Sequence, residues 1–285
     1  MSYLQKRALT TTFRSVSWAA KTLARPLPAF AAIAHRSSQQ LYSTSSSESP
    51  VARPKSTFDD VTFSSLVKSD PELAKYHDSK YQHPASDEAI EKARQGLEAR
   101  GFTVYVVNNK DEAFDKIRSL IPAGSSINSA HSTTLEEIGF INYLMDNNHP
   151  WNNIRGTILK EKDPAKQYEL RRLLGTTADY FLTSMSAITE QGEMAHGDFS
   201  GTKVGGVAFG AGNVIVVAGS NKIVKDEAEA WKRTKEFALP GVSAFSRKAF
   251  NMTKSYITNY EVLRQANPMA PDRVQVVLVK EALGF

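Results

Sequence analysis

From residue 87 onward, short apolar segments alternate with amphipathic segments, and this alternation constrains the fold more than any other feature of the sequence. Residues 87–100 are rich in charged residues and have the period of a helix, which is predicted to end at Gly101. The segment 103–107, rich in β-branched residues, follows and predicts a strand. Strands that alternate with helices in this way form parallel sheets covered by helices on both faces. The sequence therefore predicts a three-layer α/β/α domain around a mainly parallel sheet.

The same pattern continues through the rest of the domain. A helix is predicted over residues 111–119, and another over 133–146, where Thr133 and Glu136 fit a capping box. Further strands are predicted at residues 125–129, 180–183, 204–209, 214–218 and 274–279.

Glycine and proline mark the expected turns and helix ends. Residues 210–212, Gly-Ala-Gly, predict a hairpin turn between the strands on either side of them. A helix that begins after Asp226 is expected to run to Ala238 and to end at Pro240.

The first 47 residues differ in charge from the rest of the chain. They contain six basic and no acidic residues, together with 14 Ser or Thr, and five of the basic side chains fall within one arc of about 100° on a helix over residues 2–25. This pattern predicts a mitochondrial presequence over residues 1–47, and hence a location in the mitochondrial matrix. A disordered basic tail and a membrane-surface helix are the alternatives.

The remaining residues are nearly neutral, since the other 29 basic residues are balanced by 30 acidic ones. A surface for nucleic acid is therefore not predicted, and no apolar run is long enough to predict a membrane span. Residues 48–86 contain four prolines and predict an extended lead-in, with a short helix around residues 69–79. The α/β domain is predicted over residues 87–285.

No cofactor is evident from the sequence. The chain has no cysteine, which excludes disulfides and thiolate ligands to zinc or to iron–sulfur clusters. The segment 210–212 lacks the third glycine and the following helix of a dinucleotide loop, and no Gly-Lys-Ser/Thr phosphate loop occurs. Since no two histidines have ligand spacing on one helix, no metal site is predicted.

Three segments carry candidate site residues, each where a strand ends. Ser132 and Thr133 begin a helix, where free N–H groups and hydroxyls suit an anion, although ordinary helix capping is the alternative. Glu190 follows the strand 180–183 and is a candidate base, or else a structural hydrogen-bond acceptor. Asn221 and Lys222 follow an apolar strand and could bind an anionic ligand, unless Lys222 is a solvated charge.

Taken together, residues 132–139, 187–193 and 213–224, with the closing segment 272–285, resemble the LUD (lactate utilisation) domain family over about residues 87–285. The resemblance implies a fold like that of the sugar-phosphate isomerases and coenzyme A transferases, and a link to lactate oxidation. In bacterial systems the family member works beside iron–sulfur subunits, so such an oxidoreductase is an implied partner.

Two features depart from many similar bacterial chains. Residues 247–271 contain no cysteine, so any metal or redox role of that segment is absent here. Ser129, Ala130 and His131 stand where glycines are often found, which changes the shape expected for the anion pocket.

The leading hypothesis is a mitochondrial protein that binds a small organic acid or its activated ester, in the metabolism of lactate or a related 2-hydroxy acid. Ser132, Thr133 and Lys222 would hold the anionic group, Asn221 would orient it, and Glu190 would act as a base. One alternative is a non-catalytic subunit that docks with an iron–sulfur oxidoreductase. Another, an isomerase or coenzyme A transferase-like enzyme, rests on fold analogy alone.

Overall fold

A computed structural model describes residues 62–146 and 148–285, and the predicted presequence lies outside these residues. The strands are β1 (Thr103–Val107), β2 (Ser126–Ser129), β3 (Asn152–Asn153), β4 (Tyr180–Thr183), β5 (Ala187–Thr189), β6 (Met194–Asp198), β7 (Asn213–Gly219), β8 (Ile223–Val224), β9 (Asn259–Leu263) and β10 (Val274–Val279). The α-helices are α1 (Phe63–Ser69), α2 (Asp87–Ala99), α3 (Lys110–Leu120), α4 (Thr133–Glu137), α5 (Phe140–Met145), α6 (Ile154–Lys160), α7 (Pro164–Leu173), α8 (Thr202–Gly205), α9 (Glu227–Arg233) and α10 (Leu239–Phe250).

Six of these strands form a central sheet in the order β1-β10-β7-β4-β2-β3, and every neighbouring pair in it is parallel. A second sheet has the order β8-β5-β6-β9. In it β5 is parallel to β8, whereas β6 is antiparallel to both β5 and β9. The carboxyl ends of β2, β4 and β7 therefore meet at one edge of the central sheet.

The side chains of β7 show how the layers are held together. Ile215 and Val217 pack into one core cluster with residues of α3, α4 and α5, while Val214 and Val216 pack into another with residues of α2 and the second sheet. Successive side chains of a strand point to opposite faces, so a strand buried on both sides needs an uninterrupted apolar run. Each such side chain contributes about 1.5–3 kcal/mol by burial. The three-layer α/β/α prediction is confirmed.

The helix predicted over residues 133–146 is two helices, α4 and α5. Gly139 separates them in the left-handed conformation, with φ +78°. The predicted capping box is wrong in its residues, because Ser132 is the N-cap and its Oγ accepts a hydrogen bond of 3.3 Å from the Leu135 N–H. Thr133 already lies inside the helix.

The strand predicted at residues 204–209 is wrong, because this segment is helical. It spans the end of α8 and a π-helical segment, Gly206–Gly210. A Cβ at Gly206 would lie 2.8 Å from the ring of Phe181 on β4, so the glycines let a helix approach the sheet at a distance that no other residue permits. The Gly-Ala-Gly segment is therefore not a hairpin turn, and it leads from this helix into β7.

The helix expected to end at Pro240 continues beyond it. A π-helical segment, Thr234–Ala238, joins α9 to α10, and Pro240 lies in the first turn of α10. Because the regular hydrogen-bond pattern has already changed in the π-helical segment, the missing N–H of Pro240 is tolerated there.

The described part of the lead-in, residues 62–86, has helical turns within the range 69–79 where a short helix was expected, and it is helical elsewhere too. It contains α1 and two 3₁₀ turns, Pro71–Tyr76 and Lys80–Gln82. Its apolar side chains form a third cluster with α10 and the chain end, in which the Phe63 and Phe237 rings lie 4.3 Å apart. Throughout residues 62–146 and 148–285, no helix combines the length and hydropathy needed to cross a bilayer.

Candidate functional site

A cavity of about 550 Å³ lies at the carboxyl ends of β2, β4 and β7. Ser129 ends β2 and residues 130–133 follow it, residues 184–186 follow β4, and Lys222 lies in the 3₁₀ turn Ser220–Lys222 after β7. The far wall is apolar and comes largely from α10 and the segments around it: Leu239, Val242, Met252, Ile257 and Phe285. Ligands of open α/β sheets bind at this edge of the sheet.

Lys222 forms part of the cavity floor although its side chain is only 2% exposed. Its Nζ lies 2.8 Å from Thr134 Oγ1 and 2.9 Å from Ser184 Oγ, and both partners are neutral hydroxyls. Burial holds the pKa of this amine well below its ordinary value, the positive charges of Arg233 and Lys203 lower it further, and Glu137 opposes them. The surroundings of Lys222 thus disfavour its charged form relative to that of an exposed lysine.

Arg233, whose charge acts on Lys222, is itself fully buried. Its guanidinium lies over the rings of Tyr81 and Phe237, at 5.3 and 5.1 Å from their centroids. It donates to the carbonyl oxygens of Asn221 and Ser186. Burial lowers the pKa of Arg233 to about 9, with Tyr81 and Glu229 opposing. Arg233 therefore fixes a positive charge beneath the cavity without entering it.

Two more cationic side chains line the cavity, and each has N–H groups that make no hydrogen bond to a described residue. Arg155, on α6, donates from Nη1 to the Ser129 carbonyl at 3.0 Å, while its buried Nε has no hydrogen-bond partner in the described part of the chain. Lys203, on α8, makes no hydrogen bond or ion pair through Nζ with any described residue. Burial lowers the pKa of Lys203, and Asp198 opposes this shift.

Asp198 is the one carboxylate among the described residues that line this cavity. Its Oδ1 accepts from the Ser200 N–H at 3.1 Å, and its Oδ2 accepts from the N–H groups of Lys203 and Val204 at 2.9 and 3.2 Å. These bonds cap the start of α8 and occupy the carboxylate. Because the Asp198 carboxylate accepts these backbone hydrogen bonds, Arg155 and Lys203 have no ion pair with a carboxylate of the described cavity lining.

His131 lines the same cavity and packs its ring against Phe245, with centroids 4.7 Å apart. Burial lowers the pKa of His131 to about 3, helped by the charges of Arg155 and Lys203. The imidazole is therefore neutral near pH 7, and the positive charge of the site comes from lysine and arginine.

Of the residues predicted from the sequence, the structure brings Ser132, Thr133 and Lys222 together around this cavity. The remaining two, Asn221 and Glu190, line a separate cavity of about 380 Å³. The Glu190 carboxylate is 4.0 Å from Lys92 Nζ there. Asn221 and Glu190 therefore lie outside the cavity that contains the other three predicted residues.

Sequence reasoning missed Arg155, Lys203, Thr134 and Ser184. Ser184 directly follows the apolar strand β4, and this position could have identified it. Thr134 lies beside the predicted Thr133, so its position was also visible in the sequence, whereas Arg155 and Lys203 give no such signal. Arg155 follows a strand of two residues, and Lys203 precedes a segment that has the pattern of a strand. Among the described residues, no group of three or more His, Asp or Glu is placed to hold a metal ion.

The fold and the cavity define the chain as an α/β protein with a cavity lined by cationic side chains at the carboxyl edge of a parallel sheet. The family model of the LUD domain matches residues 90–279, well over half of the chain. The protein belongs to the LUD (lactate utilisation) domain family.

Two solved structures show weak similarity. A DUF162 family protein from Deinococcus radiodurans is 15% identical, with a TM-score of 0.38, over 69% of this chain and 99% of the other. The eIF2B delta subunit from Chaetomium thermophilum is 12% identical, with a TM-score of 0.24, over 59% and 67% of the two chains. No curated protein matches the chain.

Proposed function

We propose that this protein binds a small organic anion, a 2-hydroxy or 2-oxo acid, in the cavity at the carboxyl edge of the sheet, and that it serves lactate utilisation in the mitochondrial matrix. The observation that carries the proposal is the pair Arg155 and Lys203, two cations that line one cavity with unused donors. Leaving the buried Arg155 Nε unpaired costs about 1–3 kcal/mol or more, and a carboxylate would satisfy this donor and pair with the Lys203 charge as well.

The hydroxyls beside these cations suit the same ligand. Ser132 Oγ accepts the Leu135 N–H, so its own hydrogen remains available to donate to an anion. Thr133 lies at the first turn of α4 and lines the cavity beside it. The carboxylate would lie at this polar end, and the carbon chain would point to the wall formed by residues such as Val242 and Ile257.

The volume of the cavity exceeds what a three-carbon acid needs, since specific pockets bury most of their ligand. The apolar wall therefore leaves room for a longer alkyl group or for an activated ester of the acid. This supports the wider class of 2-substituted acids over lactate alone.

Ligand-dependent stabilisation tests the proposal. We expect a rise in melting temperature with lactate, pyruvate or a longer 2-oxo acid, and a much smaller rise with sugar phosphates. Lys203→Met should remove the rise, whereas Lys166→Met, which changes an exposed lysine on α7, should keep it. No rise with any acid, or an equal rise in Lys203→Met, would refute the site.

The mitochondrial location is supported by the charge pattern of residues 1–47. Fusing these residues to a fluorescent reporter should direct it to mitochondria. Changing Arg7, Arg14 and Lys21 to Gln should leave the reporter in the cytosol. A reporter that stays in the cytosol without these changes would contradict this part of the proposal.

A further inference from the structure

Lys222 has contacts that differ from those of a structural lysine. Buried lysines are ordinarily paired with a carboxylate. No ion pair involves Lys222 in the described part of the chain, and its Nζ meets only the hydroxyls of Thr134 and Ser184. The amine nevertheless lines a cavity large enough for a metabolite.

We propose that Lys222 forms a Schiff base with the keto carbon of a small 2-oxo acid bound in this cavity. The proposal rests on the proposed function, because the carboxylate of that acid would be held by Arg155 and Lys203.

The hydrogen bonds of Lys222 suit a nucleophilic amine. A neutral amine has two N–H bonds and one lone pair, and the two hydroxyls at 2.8 and 2.9 Å account for the two N–H bonds. The lone pair is then free to attack a carbonyl carbon in the cavity. Burial and the neighbouring charges of Arg233 and Lys203 lower the pKa of Lys222 and so favour this form.

The reaction needs no oxidant or reductant. Nζ adds to the keto carbon, the carbonyl oxygen takes a proton, and the nitrogen loses one, which gives a carbinolamine. Loss of the new hydroxyl with the remaining N–H hydrogen releases one water and leaves the C=N bond. Thr134 Oγ1 and Ser184 Oγ lie 3.2 Å apart, so the two hydroxyls can pass the proton between nitrogen and oxygen.

A Schiff base would make the ligand carbons beside the C=N bond acidic, because the bond withdraws electrons from them. It would also hold the acid in place while a partner or a second substrate acts on it. Lys222 therefore gives the site a covalent means of selecting 2-oxo acids over the 2-hydroxy acids that bind beside it without reacting.

Borohydride trapping tests the proposal. The full chain is incubated with pyruvate and sodium cyanoborohydride, and the intact mass and peptide map are measured. We expect one carboxyethyl group per chain, located on Lys222. Excess lactate should reduce the yield, since it competes for the carboxylate site. Lys222→Met should remain unlabelled, and Lys166→Met should label as the unaltered chain does.

A parallel thermal-shift measurement separates the two proposals. A thermal shift with pyruvate but no adduct at Lys222 would overturn the Schiff base and leave the binding site standing. Absence of both would overturn both. Adducts spread over exposed lysines and insensitive to lactate would also refute the covalent step. Because the peptide map is made on the unaltered chain, the test holds even if Lys222→Met fails to fold.

Discussion

Asn221 and Lys222 are consecutive in the 3₁₀ turn after β7, and their side chains line different cavities. Asn221 Nδ2 donates to the Tyr81 and Gly284 carbonyls, both at 3.2 Å, and its Oδ1 accepts from the Leu283 N–H at 3.1 Å. Asn221 thus holds the lead-in and residues 283–284 against the sheet edge, while Lys222 lines the cavity at the carboxyl ends of β2, β4 and β7.

This division predicts opposite effects for two neighbouring substitutions. Asn221→Ala leaves three backbone groups without their partner and should lower the free energy of unfolding by about 3 kcal/mol. It should keep the thermal shift with 2-oxo acids. Lys222→Met should abolish trapping and cost less stability, because Thr134 and Ser184 can hydrogen-bond to each other. Urea unfolding and trapping of both variants check this, and a loss of trapping in well-folded Asn221→Ala would contradict it.

The pH dependence of trapping should respond to Lys203. The groups that act on Lys222 are Arg233 and Lys203, which lower its pKa, and Glu137, which raises it. Lys203→Met removes one lowering charge, so the pH of half-maximal trapping rate should rise. Affinity should also fall by about 10- to 100-fold through the lost charged hydrogen bond. Trapping rates at saturating pyruvate across pH distinguish the two effects, because loss of binding alone leaves the midpoint unchanged.

Glu136 should make the protein less stable as pH rises. Its side chain is buried in α4, Oε2 has no hydrogen-bond partner among the described residues, and burial raises its pKa to about 7, with Arg155 opposing. Between pH 4.5 and 7 the unfolded chain loses this proton before the folded chain does, so stability falls across that window and stays lower above it.

Glu136→Gln removes this loss. Relative to the unaltered chain, the variant should gain about 3 kcal/mol between pH 4.5 and 8. Urea unfolding at the two pH values measures this gain, with the exposed Glu169→Gln as a control that should show none. An equal stability difference between the variant and the unaltered chain at both pH values would show that folding does not raise the pKa of Glu136.

Two glycines in different elements, Gly96 of α2 and Gly192 of the β5–β6 turn, approach each other too closely for any side chain. A Cβ at Gly192 would lie 2.2 Å from the Gly96 carbonyl carbon, and Gly192 has φ +89°. Gly192→Ala should therefore cost more than about 3 kcal/mol of stability. Gly124→Ala is the matched control, since Gly124 has φ +82° but nothing within 4 Å, and it should cost about 1–2 kcal/mol. Equal losses would mean that the close approach is relieved by a small shift.

Much of this fold could be predicted because its strands are buried on both faces. The predicted strand at 274–279 has the bounds of β10, and that at 214–218 falls inside β7, since short segments dominated by Val, Ile and Leu are typical of core strands. Residues 204–209 also suggest a strand through their apolar residues, but they are helical, and Gly206 packs closely against the ring of Phe181. That contact joins distant parts of the chain and leaves no periodic signal.

The residues of the candidate site also fall into two groups, those that the sequence identified and those that only the structure reveals. Ser132, Thr133 and Lys222 could be found because each follows a strand whose end was visible in the sequence. Arg155 and Lys203 reach the cavity from short helices whose positions depend on packing, so only the structure brings them beside Lys222. Asn221 shows the converse, since its position after β7 suggested a ligand and its side chain binds backbone.

The order of the central sheet has a consequence for how this protein must be made. β10 is the last of the described strands in sequence order, yet it lies between β1 and β7 and is the one strand among them that pairs with β1. The middle of the sheet can close only after residues up to Val279 have left the ribosome. Before that moment β1 and β7 carry unpaired apolar edges, which invite association with other chains. A chaperone that shields these two edges during synthesis would protect the protein at its most vulnerable stage.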